Sequence, residues 1–371
     1  MRVMVTGQVG MDKKAYLEAV VEMAAQRGEQ VDLYNVGDLM YAEAPDVRPP
    51  RILDLPLSRL NALRRAVFKD IITGSAGKDH LLVNTHATFR WRHGLFSAFD
   101  FDQLRMLKLN MLICLVDNIE VVHHRLHRDH TSDATLKDLM VWREEEIMAT
   151  ELVAQALGCP NNFYILSRGR HHQTHESCYR LVCHPKMRKV YPSFPMSHVV
   201  DMPRVLAEIQ SFRAELSRRF NAFDPGDVDE KLLLEQAISA AKEGRDFITT
   251  KVGTQEAGPQ TIEVSVKQVL DIAGDVDGQI YMRDFKLIDQ ADMICSYIPQ
   301  LAAGIPGLSS GVERELQHAF EHGKEVFVVW KPDKTPSPFI TETATKVFAS
   351  TNEALRYFED HGMFHQTELF E

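Results

Sequence analysis

A glycine and a lysine near the start of the sequence have the spacing of a phosphate-binding loop. The octapeptide Gly-Gln-Val-Gly-Met-Asp-Lys-Lys begins at Gly7, between an apolar run and a stretch with helical periodicity, which is where such a loop belongs. Gly7 and Lys13 fit the pattern G-x-x-x-x-G-K-[ST]. However, Asp12 replaces the second glycine and Lys14 replaces the hydroxyl residue, which adds like charge beside the phosphates and removes a Mg²⁺ contact. We predict a loop at Gly7, Gly10 and Lys13 that binds nucleotide and transfers phosphate poorly; a tight turn without a ligand is the alternative.

A second group of reactive side chains lies in the C-terminal half. Ser309, Ser310 and Gly311 open a predicted helix that carries Glu315, and Asp284 lies upstream. The free N–H groups at a helix N-terminus attract anions, so this opening suits a phosphate. Cleavage of an N-glycosidic bond needs a carboxylate near the anomeric carbon and help for the leaving base. The alternatives are that Glu315 only complements the helix dipole and that Ser309 is only an N-cap.

A polar stretch rich in histidine and arginine lies between these two groups. Within it, His175, Cys178, Cys183 and His184 could supply a tetrahedral N₂S₂ zinc site. Their spacing is not that of a standard zinc finger, so we assign no metal and interpret the stretch as a basic polar link between domains. Zinc binding stays the alternative.

Apolar runs alternate with helical periodicities along the chain, which predicts parallel sheets covered on both faces. Strands are predicted at Arg2–Thr6, Gln30–Tyr34, His80–Asn84, Met111–Val116, Phe163–Leu166, Lys189–Phe194, Met293–Tyr297 and Glu325–Trp330. Helices are predicted at Lys13–Arg27, Leu136–Leu157, Pro203–Arg219, Glu230–Glu243, Ile262–Ile272 and Gly311–His322, and a loop at Thr249–Gln260. The prediction is an α/β protein with a first domain over 1–170, a linker over 171–188 and a second domain over 189–371.

Composition narrows the classes of protein to which the chain can belong. Its 371 residues suit two domains, and 44% hydrophobic with 25% charged residues is typical of a folded globular protein. The net charge of −10 argues against binding to polymeric nucleic acid. No apolar stretch reaches the length of a membrane span or has the pattern of a signal peptide. Five scattered cysteines fit a reducing compartment, so we expect a cytoplasmic protein with no membrane partner.

The first half resembles the adenylate-kinase-like nucleoside monophosphate kinases. Besides the loop, the segment 84–87 (Asn-Thr-His-Ala) looks like their Asp-Thr-His-Ala motif, and the segments 92–95 and 125–129 look like their substrate and lid segments. The resemblance implies a P-loop kinase-like parallel sheet. It also implies nucleotide contacts from Arg125 and Arg128, next to the loop residues.

The segment 189–348 resembles the nucleoside 2-deoxyribosyltransferases and the related 2-deoxynucleoside 5-monophosphate N-glycosidases. The motifs are Lys-Val-Tyr-Pro-Ser from Lys189, Arg-Asp-Phe-Lys from Arg283 with Asp292 behind it, and Ser-Ser-Gly-Val-Glu-Arg-Glu-Leu from Ser309. The resemblance implies a Rossmann-like (flavodoxin-like) sheet. Its site residues are implied as nucleophile Glu315, base- or sugar-assisting Asp284, positioning Tyr191, and substrate or phosphate contacts at Ser309, Ser310, Gly311, Ser193, His198 and Asp292. For Asp292 and Tyr191, structural roles are the alternatives.

The hypothesis is an N-glycosidase that acts on a nucleoside or nucleotide, or a deoxyribosyltransferase if a second base accepts the sugar. It needs no cofactor, whereas the N-terminal domain would bind ATP or another nucleotide with Mg²⁺ for regulation or as substrate. The second resemblance implies a homo-oligomer. An enzyme that destroys nucleotides requires control, and stress or phage defence is one context for it. A nucleotide kinase that uses Lys13 and a non-catalytic nucleotide sensor are the alternatives.

Overall fold

The computed structural model describes residues 1–91, 94–130, 133–169, 174–196, 199–252 and 260–364. The chain forms two compact units. The first unit combines Met1–Cys183 with Gly226–Gln279, and the second combines His184–Pro225 with Ile280–Glu371. This division differs from the predicted domain boundaries at two places.

Both differences have a reason in packing. The predicted linker contains the helix His175–Cys183, which packs against the first helix of the chain, where Tyr16 and Thr174 share a hydrogen bond of 2.9 Å. The sequence-based prediction assigns the segment Gly226–Gln279 to the second domain, whereas the structure places it in the first unit. A buried ion pair of 2.5 Å between Arg143 and Glu230 ties it to the first unit.

Strands and helices alternate as predicted over most of the chain. The strands are β1 (Arg2–Thr6), β2 (Val31–Asn35), β3 (His80–Asn84), β4 (Thr88–Trp91), β5 (Gly94–Ser97), β6 (Met111–Val116), β7 (Phe163–Ser167), β8 (Lys189–Ser193), β9 (Asn221–Ala222), β10 (Phe247–Val252), β11 (Gln260–Ser265), β12 (Met293–Ile298), β13 (Glu325–Trp330) and β14 (Lys346–Phe348). The α-helices are α1 (Lys13–Gln26), α2 (Val36–Glu43), α3 (Leu57–Gly74), α4 (Phe101–Leu107), α5 (Ile119–His130), α6 (Leu136–Ala156), α7 (His175–Cys183), α8 (Pro203–Arg219), α9 (Lys231–Lys242), α10 (Val266–Asp271), α11 (Ala273–Asp289), α12 (Ser310–Glu321), α13 (Pro338–Thr341) and α14 (Thr351–Asp360). In the described part of the chain, no helix has the length and apolar character that a bilayer crossing requires.

The first unit is built on a five-stranded parallel sheet in the order β2-β3-β1-β6-β7. Strand β6 (Met-Leu-Ile-Cys-Leu-Val) is buried at every position, as expected of a central strand covered by helices on both faces. Strand β1 lies between β3 and β6. The loop after β1 therefore leaves the sheet at a reversal of strand order, where ligands bind in such folds.

The second unit has a five-stranded parallel sheet in the order β9-β8-β12-β13-β14. Numbered within the unit, this order is 2-1-3-4-5, the flavodoxin-like arrangement. Its core combines aliphatic and aromatic side chains, and the aromatic ones include Phe212, Phe220, Phe327, Phe348 and Phe358. The predicted fold class, two parallel α/β sheets of these two types, is confirmed.

Two antiparallel ribbons, β4-β5 and β10-β11, stand outside the main sheets. The second ribbon corrects the predicted helix Ile262–Ile272, which begins only after β11. In β11, Ile262 and Val264 are buried while Glu263 is exposed, a period of two that belongs to a strand. Strand β10 also contains the first residues of the predicted loop Thr249–Gln260. Residues 253–259 of that loop lie outside the described residues.

Candidate functional site

The carboxyl edge of the second sheet has a reversal of strand order at β8. Strand β9 pairs with one side of β8, and β12 pairs with the other. In open parallel sheets, ligands bind beyond the carboxyl ends of the strands at such a point. Ser193, the last residue of β8, is paired in register with Ser296 of β12, and their hydroxyl oxygens are 3.3 Å apart. The hydroxyls of Ser193 and Ser296 thus lie where a ligand site is expected.

Helix α12 presents Glu315 at this edge. Val312, Leu316 and Ala319 recur every three or four positions and are buried, which orients this face of the helix toward the sheet. Glu315 lies beside that apolar stripe. Ser309 begins the helix, because its hydroxyl accepts a hydrogen bond of 3.2 Å from the backbone N–H of Val312. Its N-cap role is therefore observed, and its phosphate role stays a prediction.

Two donors from β8 fix the Glu315 carboxylate. The Tyr191 hydroxyl donates to Oε1 at 3.0 Å, and the Ser193 hydroxyl donates to Oε2 at 2.6 Å. Tyr191 and Ser193 are two residues apart on one strand and hence project from the same face. Both side chains are fully buried, so each carboxylate oxygen has a donor with little freedom to move.

The charge state of Glu315 depends on its surroundings. Burial and, next in size, the negative charge of Asp284 raise the pKa of Glu315 to about 8, against the opposing effect of its two hydrogen bonds. Asp284 is a buried residue of α11. Burial and these two carboxylates also raise the pKa of Tyr191 well above its ordinary value. Glu315 keeps partial solvent access. The result is a pair of carboxyl groups, one of them within reach of solvent, that holds a proton near neutral pH.

The remaining residues predicted for this site separate into three cases. Asp292 lies at the opposite edge of the sheet, before β12, where its carboxylate accepts a hydrogen bond of 2.7 Å from the backbone N–H of Lys189 at the start of β8. Its predicted substrate contact is corrected to a structural role, because ligands approach the other edge. Ser310 and Gly311 form the exposed first turn of α12. His198 lies outside the described residues.

The loop after β1 in the first unit has a constrained backbone. Gly7 has a φ of 143°, and a Cβ there would lie 2.7 Å from the carbonyl oxygen of Leu115. Asp12, in the place of the second glycine, has a φ of 52°, a left-handed conformation that aspartate adopts more readily than most residues. Arg168 donates to the carbonyl oxygens of Met11 and Asp12. An arginine that the sequence analysis did not identify thus holds the altered loop.

Glu146 of α6 was also missed. Its Oε1 accepts hydrogen bonds from the backbone N–H groups of Gly7 at 2.9 Å and Ala87 at 2.8 Å. Its Oε2 accepts from the backbone N–H of Thr88 at 2.8 Å and from the Thr88 hydroxyl at 2.6 Å. The residue ends a run of three glutamates that suggests a solvated face. In the structure it lies on the buried face of α6, three positions after Arg143 and four before Thr150, and the sequence carried no signal for this.

Lys13 lies at the boundary between this loop and a cavity. Its ammonium donates to the carbonyl oxygen of Gly7 at 2.7 Å and lies 3.3 Å from Nδ1 of His86. Burial lowers the pKa of Lys13 to about 8, with the charge of Glu146 opposing. The cavity has a volume of about 320 Å³, within the range of small-molecule sites. Its lining includes Lys13, Arg64, Asn84 and His86 among polar residues and Met40, Tyr41, Ile52, Leu53 and Phe89 among apolar ones.

The other predicted nucleotide contacts have partners within the protein. Gly10 has a φ of 86° and approaches the backbone of α5. Arg125 donates to Asp117 at 2.8 Å, with both side chains largely buried. Arg128 pairs with its exposed neighbour Asp129 at 2.7 Å. A phosphate would therefore compete with carboxylates for both arginines.

The Mg²⁺ position of the loop does not fit the ion. Lys14 replaces the usual hydroxyl and pairs with Asp38 at 2.7 Å on the surface. An ammonium group cannot ligate a cation. The residues at this position therefore do not supply the Mg²⁺ contact of a standard phosphate loop.

The four residues considered for zinc do not converge. Three of them lie on or at the end of helix α7, where Cys178 and Cys183 are five positions apart and hence on different faces. Cys178 is buried, and His175 packs against the ring of Tyr16 with centroids 4.5 Å apart. Within the described ranges, the ligand atoms of these residues do not form a metal-sized group.

Comparison with known proteins finds several to which parts of this chain are similar. Residues 6–143 match the family model described as an AAA domain. The adenylate kinase of Pyrococcus furiosus is 26% identical over 161 residues, which covers 42% of this chain and 80% of that enzyme. Among solved structures, a 2-deoxyribosyltransferase from Bacillus psychrosaccharolyticus aligns with 14% identity and a TM-score of 0.26, over 45% of this chain and 89% of that one. A shikimate kinase from Bacteroides thetaiotaomicron aligns with 13% identity and a TM-score of 0.30, over 45% and 86%. The N-terminal part of the chain is thus similar to adenylate kinases and carries an altered P-loop.

Proposed function

We propose that this protein is an enzyme that cleaves the base–sugar bond of a nucleoside or nucleotide, with Glu315 as the nucleophile. The observation that carries the proposal is the fixed Glu315 carboxylate at the strand-order reversal, hydrogen-bonded by Tyr191 and Ser193 and influenced by Asp284. Two carboxyl groups with different surroundings are what a double-displacement glycosidase requires. The resemblance of the segment around them to N-glycosidases supports the same reaction.

The proposed reaction divides the work between the two carboxyl groups. The pair holds one proton near neutral pH, since repulsion opposes two charges. Burial raises the pKa of Glu315 to about 8, so at neutral pH this proton resides mainly on Glu315. The reactive form is the one in which the proton has moved to Asp284 and the two hydrogen bonds hold Glu315 as the anion. Glu315 bonds to the anomeric carbon while the C–N bond breaks, and the departing base nitrogen takes the proton of Asp284. Asp284 then accepts a proton from water as the water oxygen displaces Glu315 from the sugar.

The proposed role of the first unit is to bind a nucleotide, as substrate store or regulator. The cavity beside Lys13 supports this role, and so does the similarity to adenylate kinases. The replaced Mg²⁺ position at Lys14 argues against rapid phosphate transfer. A protein that degrades nucleotides needs such control, for which stress or phage defence is a suitable setting. We also expect a homo-oligomer, which light scattering of the purified protein tests.

The test measures, by chromatography, the release of free base from a panel of nucleosides, nucleotides and NAD. Wild type should release base from at least one substrate. Glu315→Gln removes the nucleophile while keeping the side-chain shape, so it should lose at least about 10³-fold in rate, because it removes the group that forms the covalent intermediate. Glu313→Gln is the matched control, because Glu313 is an exposed residue of the same helix.

Three outcomes separate the alternatives. Base release that persists in Glu315→Gln contradicts the assigned nucleophile. Transfer of the sugar to an added free base, with little hydrolysis, identifies a transferase using the same residue. No release from any substrate, with or without added nucleotide, rejects the reaction.

A nucleotide kinase is the second candidate, and the buried ammonium of Lys13 beside the cavity favours it. It predicts transfer of phosphate from ATP that Lys13→Ala abolishes. Nucleotide binding without transfer by the wild type supports the binding role instead.

A further inference from the structure

Two histidines and an aspartate converge where α11 and α12 end. Among the residues that the structure describes, Asp289, His318 and His322 form a group whose ligand atoms all lie within 4.8 Å of one another. Asp289 is the last residue of α11, His318 lies in the final turn of α12, and His322 follows that helix. The glycosidase chemistry uses none of them.

The rings of both histidines are already oriented. Nδ1 of His322 lies 2.8 Å from the carbonyl oxygen of His318, and a carbonyl only accepts, so Nδ1 carries the proton and Nε2 has the lone pair. A histidine that binds a metal commonly donates its other N–H to such an acceptor. The His318 ring packs between His322 and Phe285, with centroid distances of 4.0 and 4.4 Å.

The spacing suits a small ion with nitrogen ligands. Nε2 of His318 is 2.7 Å from Oδ1 of Asp289, and ligand atoms around a tetrahedral zinc ion are about 3.4 Å apart for bonds of about 2.1 Å. These two atoms therefore need to move apart by less than about 1 Å to ligate the same ion. The ammonium of Lys324, which donates to the carbonyl oxygen of Asp289 at 2.7 Å, repels any cation. Two of the three ligands are imidazoles, and this donor set favours Zn²⁺, which binds imidazole well, over Mg²⁺ or Ca²⁺.

We propose that Asp289, His318 and His322 bind one Zn²⁺ ion, with water completing the coordination, and that the ion fastens the end of α11 to α12. The same two helices carry Asp284 and Glu315. A bound ion therefore also fixes the spacing of that carboxyl pair. This last consequence rests on the proposed function, whereas zinc binding itself does not.

The test uses full-length, untagged protein stripped with a chelator and titrated with ZnCl₂ by calorimetry, with the melting temperature followed in parallel. Wild type should bind one ion and melt at a higher temperature with zinc. His322→Gln and Asp289→Asn should each weaken binding by at least about tenfold and lose most of the thermal shift. His361→Gln is the matched control: His361 also follows a helix, and its Nδ1 also lies 2.8 Å from a backbone carbonyl oxygen. It should behave as wild type.

Three outcomes overturn the proposal, and all are distinct from failure of the glycosidase, since no substrate is present. Equal zinc affinity in wild type and His322→Gln places the ion elsewhere, and so do thiolate charge-transfer bands after Co²⁺ replaces Zn²⁺, because the proposed ligands contain no sulfur. The absence of binding at millimolar zinc rejects the site. If the metal-free variants are unstable, Co²⁺ spectra of the stripped wild type still report nitrogen and oxygen ligation.

Discussion

Replacement of Glu315 by glutamine should stabilise the protein at alkaline pH. The folded protein raises the pKa of Glu315 from 4.5 to about 8, chiefly by burial. Between these values the unfolded chain has released the proton while the folded chain retains it. Wild-type stability therefore falls as the pH rises from about 4.5 to about 8 and is level above that range. Glutamine has no proton to release, so the advantage of the variant should grow across the same window.

The size of this advantage follows from the pKa difference. The change from 4.5 to about 8 sets an upper limit of about 5 kcal/mol. Partial solvent access of Glu315 reduces this value. The amide must also face one of two hydroxyl donors, Tyr191 or Ser193, with its NH₂ group, at a cost of about 1 kcal/mol. We expect a net stabilisation of about 2–4 kcal/mol at pH 9 and a net destabilisation of about 1 kcal/mol at pH 4, where only the amide cost remains.

Calorimetric melting at pH values from 4 to 9 measures the effect on the second unit. The melting temperature of Glu315→Gln should exceed that of wild type by an amount that increases up to about pH 8. Glu313→Gln on the exposed face of the same helix should show no such trend. A wild-type–variant difference that stays constant with pH, or that decreases as pH rises, would refute the assignment of a raised pKa to Glu315.

Three further predictions concern single side chains. Asp284→Asn removes the proton donor of the leaving base, so the maximal kcat/KM should fall by at least about 10²-fold, and the decline of activity that wild type shows above about pH 8, where the pair loses its proton, should disappear; a wild-type rate with the same alkaline decline contradicts the assigned role. Gly7→Ala should lower stability by about 2 kcal/mol or more in thermal melting, because its Cβ meets a backbone oxygen at 2.7 Å; a melting temperature equal to wild type contradicts this. Glu230→Gln leaves Arg143 buried without its ion-pair partner and should lower the free energy of unfolding of the first unit by about 3–5 kcal/mol, as measured with denaturant. Glu235→Gln, at an exposed position of α9, should have little effect.

The sequence predicted the strands that are buried on both faces. Strand β6 is the clearest case, because six consecutive apolar residues bounded by polar ones are typical of a central strand that helices cover on both faces. The ribbon β10-β11 was missed because its residues alternate over only a few positions, and the alternation of Ile262 and Val264 runs directly into the helical period of α10. Its place in the first unit depends on distant contacts such as that of Glu230 with Arg143.

The two candidate sites differed in how far they could be predicted. Glu315 and Tyr191 are 124 positions apart, and only the resemblance to a family joined them, since no local spacing connects a strand residue with a helix residue so distant. Glu146 and Gly7 are 139 positions apart, and no motif joined them. Hydrogen bonds of this kind arise where sheet order brings strand ends together, which local periodicity does not encode.

The contacts around the first loop bear on why its altered sequence is tolerated. In a standard phosphate loop, the bound phosphates meet N–H groups and a lysine that would otherwise lack partners. Here the Gly7 N–H donates to Glu146, Lys13 donates to the Gly7 carbonyl, and Arg168 holds the carbonyl groups at Met11 and Asp12. The loop is thus ordered by the protein itself and does not require a phosphate to complete it. Under the proposed function, a nucleotide in the adjoining cavity is recognised without being consumed, which is the behaviour that control of a second, nucleotide-degrading site needs.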